Sequence, residues 1–131
     1  MFASPTWLFV YGTLRRGGGA ALAVRLEEEA RWIGQAEAHG FLYLIDGYPG
    51  FVSDAAGGRV LGDLFDVGEN VSLLAALDEY EQCGGAWPEP QEYRREVIPV
   101  LSERGAGQAW TYVYAWPIDQ TSLIAGGDFL A

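Results

Sequence analysis

Apolar and polar residues repeat along the chain with periods that change from segment to segment. The apolar run Trp7-Leu8-Phe9-Val10-Tyr11, stopped at Gly12, predicts a first strand over 7–12. Leu22 and Leu26, followed by Glu27-Glu28-Glu29, predict a short helix over 20–30 with the acidic run on a solvated face. Residues 31–38 read as a strand interrupted at Gly34, and 41–45 as a second one. Asp46-Gly47-Tyr48-Pro49-Gly50 reads as a turn by composition. Residues 59–67 alternate after the Gly57-Gly58 turn and predict another strand. Asn70 is a good N-cap for a helix over 71–82. Strands follow over 92–101 and 108–116, separated by a turn at Gly105-Ala106-Gly107; the tail from Pro117 shows no clear period. Many short strands, glycine-rich turns and two helices predict an α+β chain whose sheet is closed or nearly so. Without a repeat or a linker, the chain reads as one domain over 1–131.

The helix over 71–82 holds one anomaly. At about 100° per residue, Leu73, Leu74, Leu77 and Tyr80 gather on one face, and Glu81 falls within it. Asp78 sits at the edge of that face and Glu79 on the opposite side. Burying an unpaired acid is costly, so Glu81 has three readings. It bends out to water from the last turn, it pairs with an arginine such as Arg95, or it lines a partly apolar cavity as a general base or acid whose pKa is raised by desolvation.

Composition narrows the partners. The chain has 131 residues, 18 acidic and 8 basic, for a net charge of −10. Such a surface repels phosphate backbones and anionic lipid, so neither nucleic acid nor a membrane is expected as a partner. No signal peptide or membrane-spanning run is evident, and Cys83 is the single cysteine. A cytoplasmic location is expected. The sequence assigns no oligomeric state.

Several stretches have chemical potential. Ending a strand at Tyr11-Gly12-Thr13-Leu14 leaves backbone without a Cβ at Gly12, where a ligand can come close and following N–H groups can cradle an anion; a plain glycine turn is the alternative. Gly17-Gly18-Gly19 lacks the Gly-Lys-Ser/Thr of a phosphate loop. His39, the single histidine, has no partners at metal-ligand spacing, so no metal site is expected. Trp110, Tyr112, Tyr114 and Trp116 alternate along one strand face, as core residues or as pocket lining that offers hydroxyls.

Taken in order, FVYGTLRRG at 9–17, DGYPG at 46–50, VLGDLFDV at 60–67, LDEYE at 77–81, YRREVIPV at 93–100, AWTYVY at 109–114 and IAGGDF at 124–129 resemble the gamma-glutamylcyclotransferase-like family, most closely its gamma-glutamylamine cyclotransferase branch. The resemblance implies a compact mixed β-barrel with a few flanking helices. It implies a small-molecule gamma-glutamyl substrate, converted without metal or cofactor to 5-oxoproline and a free amine. The family's catalytic glutamate falls on Glu81, and its substrate-holding loop on Tyr11, Gly12, Thr13 and Leu14; of the alternating aromatic stripe, Tyr112 is expected to bind substrate as well. A non-catalytic binding module on the same barrel is the alternative function. The chain departs from the family pattern at Ala20-Ala21 and over Gln82 to Pro90, where a glycine usually follows the glutamate directly.

Overall fold

The computed structural model describes residues 6–12, 14–15, 21–45, 47–83, 88–118, 122–124 and 126–129. Thr13, Ala20, Asp46 and the 84–87 stretch lie outside the described residues. The order is β1 (Trp7–Val10), α1 (Ala21–Glu29), β2 (Arg31–Ile45), β3 (Tyr48–Ser53), β4 (Gly58–Asp66), α2 (Val71–Tyr80), β5 (Tyr93–Ser102) and β6 (Gly105–Tyr114). Five strands close a barrel: β1 pairs with β4, β4 with β2, β2 with β5, β5 with β6, and β6 returns to β1 in parallel. The sixth, β3, pairs with the second half of β2 and runs parallel to β6.

Strand alternation divides the apolar residues into two cores. Phe9 of β1 and Tyr11 just after it point into the barrel with Ala36, Leu42, Phe51, Leu64 and Val113. Leu8 and Val10 point outward and pack beneath the helices with Leu26, Phe65, Leu73, Leu77 and Tyr112. Asn70 caps α2 as its sequence predicts, its Oδ1 accepting from the Leu73 N–H at 3.0 Å. Among the described residues no helix is long and apolar enough to cross a membrane.

Three sequence expectations change. Residues 31–45 form one strand, because Gly34 sits at a bulge between Trp32 and Gly34 and does not end the pairing with β4. The stretch at 48–50 is the start of β3 and not a turn: Tyr48 pairs with Ile45, Pro49 with Leu44 and Gly50 with Tyr43. Gly105-Ala106-Gly107 opens β6, and the turn lies at Glu103–Arg104. A Cβ on Gly107 would lie 2.5 Å from the Trp7 ring, so that glycine admits a neighbour and makes no turn.

Candidate active site

Where β1 ends and α2 ends, the fold leaves a cavity of about 400 Å³. The described residues of its wall include Tyr11, Gly12 and Leu14 from the β1 end, Tyr48 and Pro49 from β3, Glu81 and Gln82 from the α2 end, and Glu92, Tyr93 and Tyr112. No lysine, arginine or histidine is among them. The cavity therefore brings together Tyr11, Gly12, Leu14, Glu81 and Tyr112 of the sequence candidates, while Thr13 lies outside the described residues.

The end of α2 presents Glu81. The helix stops at Tyr80, Glu81 is its C-cap, and Gln82 takes the left-handed conformation with φ +56°. The Gln82 N–H reaches the Glu79 carbonyl at 3.1 Å and the Cys83 N–H the Asp78 carbonyl at 3.0 Å. This pair of bonds is a Schellman motif, which peels the chain away from the helix axis. Glu81 thus leaves the helix at its last turn, yet the turn carries it into the cavity wall and not out to bulk water.

Its electrostatics follow from that position. Burial pushes the Glu81 carboxyl up to about 7, and the negative charge of Glu92 adds to the shift. Among the described residues no cation pairs with it. Arg95, which the sequence offers as a partner for Glu81, goes instead to Asp78: its Nε donates at 2.9 Å and its Nη2 at 3.3 Å. The Tyr112 hydroxyl donates to the same Asp78 carboxylate at 2.6 Å, and the Arg95 guanidinium lies over the Trp110 ring, 4.6 Å from its centre.

The tyrosines are mostly committed. Tyr11 turns its ring into the barrel core, 5.5 Å from the Phe51 ring, and its hydroxyl donates to the Tyr112 carbonyl at 2.5 Å. Burial first, and then the Glu81 charge, raise its pKa well above the ordinary phenol value. The Tyr93 hydroxyl donates to the Pro49 carbonyl at 2.7 Å, and the Tyr48 hydroxyl to Glu92. Gly12 has a role its sequence does not reveal: a Cβ there would lie 2.5 Å from Cγ of Pro49, so the glycine makes room first for the β3 proline.

Sequence reasoning missed Glu92, Tyr48 and Tyr93 as cavity residues. Glu92 is one of several acids around the start of β5 and carries no periodic signal. Tyr48 was hidden in an apparent turn. The departure at Gln82 was visible, but its left-handed backbone was not. Among the described residues no group of three metal-ligating side chains comes together, and His39 is exposed beside the Gly57 carbonyl.

A closed five-stranded barrel with two helices and an acid-lined cavity between them defines a class of small pocket-bearing proteins. Residues 8–131 match the family model described as "Gamma-glutamyl cyclotransferase, AIG2-like". The chain is 33% identical over 124 residues to the gamma-glutamylcyclotransferase family protein YtfP of Escherichia coli K12, covering 94% of this chain and 95% of that one. It therefore belongs to the gamma-glutamyl cyclotransferase, AIG2-like family. The fold is shared with an AIG2-like protein of Mus musculus, with a TM-score of 0.68 at 22% identity over 90% of this chain and 82% of that chain. YkqA of Bacillus subtilis superposes with a TM-score of 0.71 at 23% identity; 96% of this chain is covered but only 40% of that longer one.

Proposed function

We propose that the protein is a gamma-glutamyl cyclotransferase that converts a gamma-glutamyl amine or amide to 5-oxoproline and the free amine, with Glu81 as general base and then general acid. The observation that carries this reading is the Glu81 carboxyl: it borders a cavity, has no cation beside it among the described residues, and is held near pH 7. A carboxyl so placed exchanges protons readily at neutral pH. Family membership supports the reaction class.

In the proposed step Glu81 takes a proton from the substrate's α-ammonium group. The freed nitrogen attacks the γ-carbonyl carbon, a C–N bond forms and a five-membered ring closes. Glu81 passes its proton to the leaving nitrogen and the amide bond to that nitrogen breaks; the ring nitrogen, cationic after the attack, gives up its surplus proton to the freed carboxylate, from which it goes to the released amine. Backbone around Tyr11, Gly12, Thr13 and Leu14 would hold the substrate's oxygens, and Tyr112 would wall the pocket. The nucleophile and the carbonyl belong to one molecule, so the protein's tasks are orientation and proton transfer.

The test is incubation of the purified protein with a panel of gamma-glutamyl amines and dipeptides, followed by mass spectrometry for 5-oxoproline. Release from at least one, abolished by Glu81→Gln, is expected. Binding of these compounds or of 5-oxoproline without any turnover would make the protein a binding module instead.

A further inference from the structure

Beneath the β1 end lies a buried charge that the proposed chemistry does not use. Arg15 is the one arginine among the described residues that is buried, with 7% of its surface exposed. Its backbone N–H donates to the Gly12 carbonyl at 3.0 Å and closes a short turn carrying Gly12 and Leu14, both part of the cavity wall. Its guanidinium meets two acids. Nε faces Asp63 Oδ2 of β4 at 3.5 Å, an ion-pair distance, and Nη1 donates to Asp128 Oδ1 at 2.5 Å.

Both anions are anchored. Asp63 sits opposite Val10 in the β1–β4 ladder, and its other oxygen accepts from Trp32 Nε1 at 3.2 Å. Asp128 follows Gly127, whose carbonyl accepts from the Leu61 N–H at 2.8 Å, and it precedes Phe129, which packs on the barrel core. Ile124, at the start of this segment, donates its N–H to the Leu42 carbonyl at 2.7 Å. A charge on a turn is thus hydrogen-bonded to an acid 113 residues further along the chain, and it approaches a fixed barrel acid at ion-pair distance without a hydrogen bond from Nε.

We propose that Arg15 is a positioning residue: the Asp63–Arg15–Asp128 bridge sets the height of the Gly12–Arg15 turn against the cavity, and the C-terminal segment thereby helps to fix the site's geometry. The inference rests on reading this cavity as the reaction site. A bridge of this kind is well suited to the task, because a buried arginine has few other places to put its charge and small misplacements of reacting groups are costly in rate.

Asp128→Asn is the leading variant, since it keeps an oxygen acceptor and removes the charge at the partly exposed end of the bridge. Arg15→Met and Arg15→Lys complete the series, and Val60→Ala serves as a barrel-core variant away from the cavity. Amide hydrogen exchange is read by NMR on the full chain. In Asp128→Asn the Arg15 amide, whose bond to the Gly12 carbonyl closes the turn, should exchange about tenfold faster or more while Phe9 and Leu64 keep their rates. In Val60→Ala any change should be spread over the barrel. On a confirmed gamma-glutamyl substrate, kcat/KM should fall about tenfold in Asp128→Asn and further in Arg15→Met, with KM carrying much of the loss and Arg15→Lys recovering part of it. Turn and barrel amides moving together in Asp128→Asn would overturn the proposal, as would a kcat/KM equal to that of Val60→Ala. If Arg15→Met does not fold, Asp128→Asn decides alone. Should the unmodified protein turn over no gamma-glutamyl conjugate, the functional reading falls and the exchange result still decides the role of Arg15.

Discussion

Asp78 and Glu81 lie one helical turn apart, and the fold treats them in opposite ways. Asp78 receives two guanidinium bonds from Arg95 and a hydroxyl bond from Tyr112. Glu81 receives none of these; burial, and then the charge of another acid, Glu92, push its carboxyl up to about 7. The difference comes from geometry beyond the helix. Arg95 and Tyr112 sit opposite each other in the β5–β6 ladder, so both reach the same point on α2. Once that cation is spent on Asp78, Glu81 borders a cavity without a compensating charge among the described residues. One acid ties helix to barrel, and its neighbour is left able to change protonation state.

The strongest way to break this comparison is to neutralise the uncompensated acid. Glu81→Gln keeps the shape and removes the proton carrier, so turnover of a confirmed substrate should fall by roughly 10²–10⁴-fold. Glu79→Gln, on the exposed side of α2, should change it little. Full activity in Glu81→Gln would remove Glu81 from the chemistry.

Stability against pH tests the same residue without a substrate. The folded carboxyl holds its proton up to about pH 7, whereas an unfolded glutamate releases it near 4.3. Between those values the folded state binds more protons than the unfolded state, so this residue makes stability fall as pH rises, and the loss levels off above about 7. Glu81→Gln should therefore be more stable than the parent at pH 8, by on the order of a few kcal/mol at most, and the difference should shrink towards pH 4. Urea denaturation at both values measures it. A variant that is less stable at pH 8 would mean that the ionised carboxylate has a stabilising partner.

The paired acid should respond in the opposite sense. Asp78→Asn removes the charge that Arg95 and Tyr112 share, at a site about a quarter exposed. Hydrogen bonds to charged groups contribute roughly 1.5–3 kcal/mol, so a destabilisation of about 2 kcal/mol is expected at neutral pH. Loss of the Arg95 contact should also leave the pH dependence assigned to Glu81 in place. If that dependence disappears, the released Arg95 has moved to Glu81 and the comparison fails.

How much of this was legible beforehand varied with the type of signal. An apolar run stopped at Gly12 located β1, period-two alternation located β4, and the N-cap at Asn70 located α2, because those patterns are local. The helix wheel singled out Glu81 for the same reason. Glycine and proline misled where their purpose was long-range: Pro49 and Gly50 looked like a turn but lie in β3, and Gly107 admits the Trp7 ring. The destination of Arg95 was equally hidden. A wheel shows two acids near one apolar face, but only the β5–β6 register decides which of them the arginine meets.

The smallest effect concerns the turn that follows the two acids. Gln82 holds φ +56°, a conformation in which an L side chain costs roughly 1–2 kcal/mol and glycine almost nothing. Glycine loses more freedom on folding, which offsets part of that gain. Gln82→Gly should therefore stabilise the fold by about 1 kcal/mol or less, seen as a higher denaturation midpoint with an unchanged slope. The side chain removed also lines the cavity, so its effect on kcat/KM separates two roles for the position. Stabilisation with unchanged kinetics would mean that the Schellman turn alone delivers Glu81 and that the glutamine is tolerated there. Stabilisation with a raised KM, and a raised KM only for the larger leaving amines, would mean that the chain accepts backbone strain to keep an amide at the mouth of the site. A loss of stability would contradict the strain itself and would place an unrecognised contact on the Gln82 side chain.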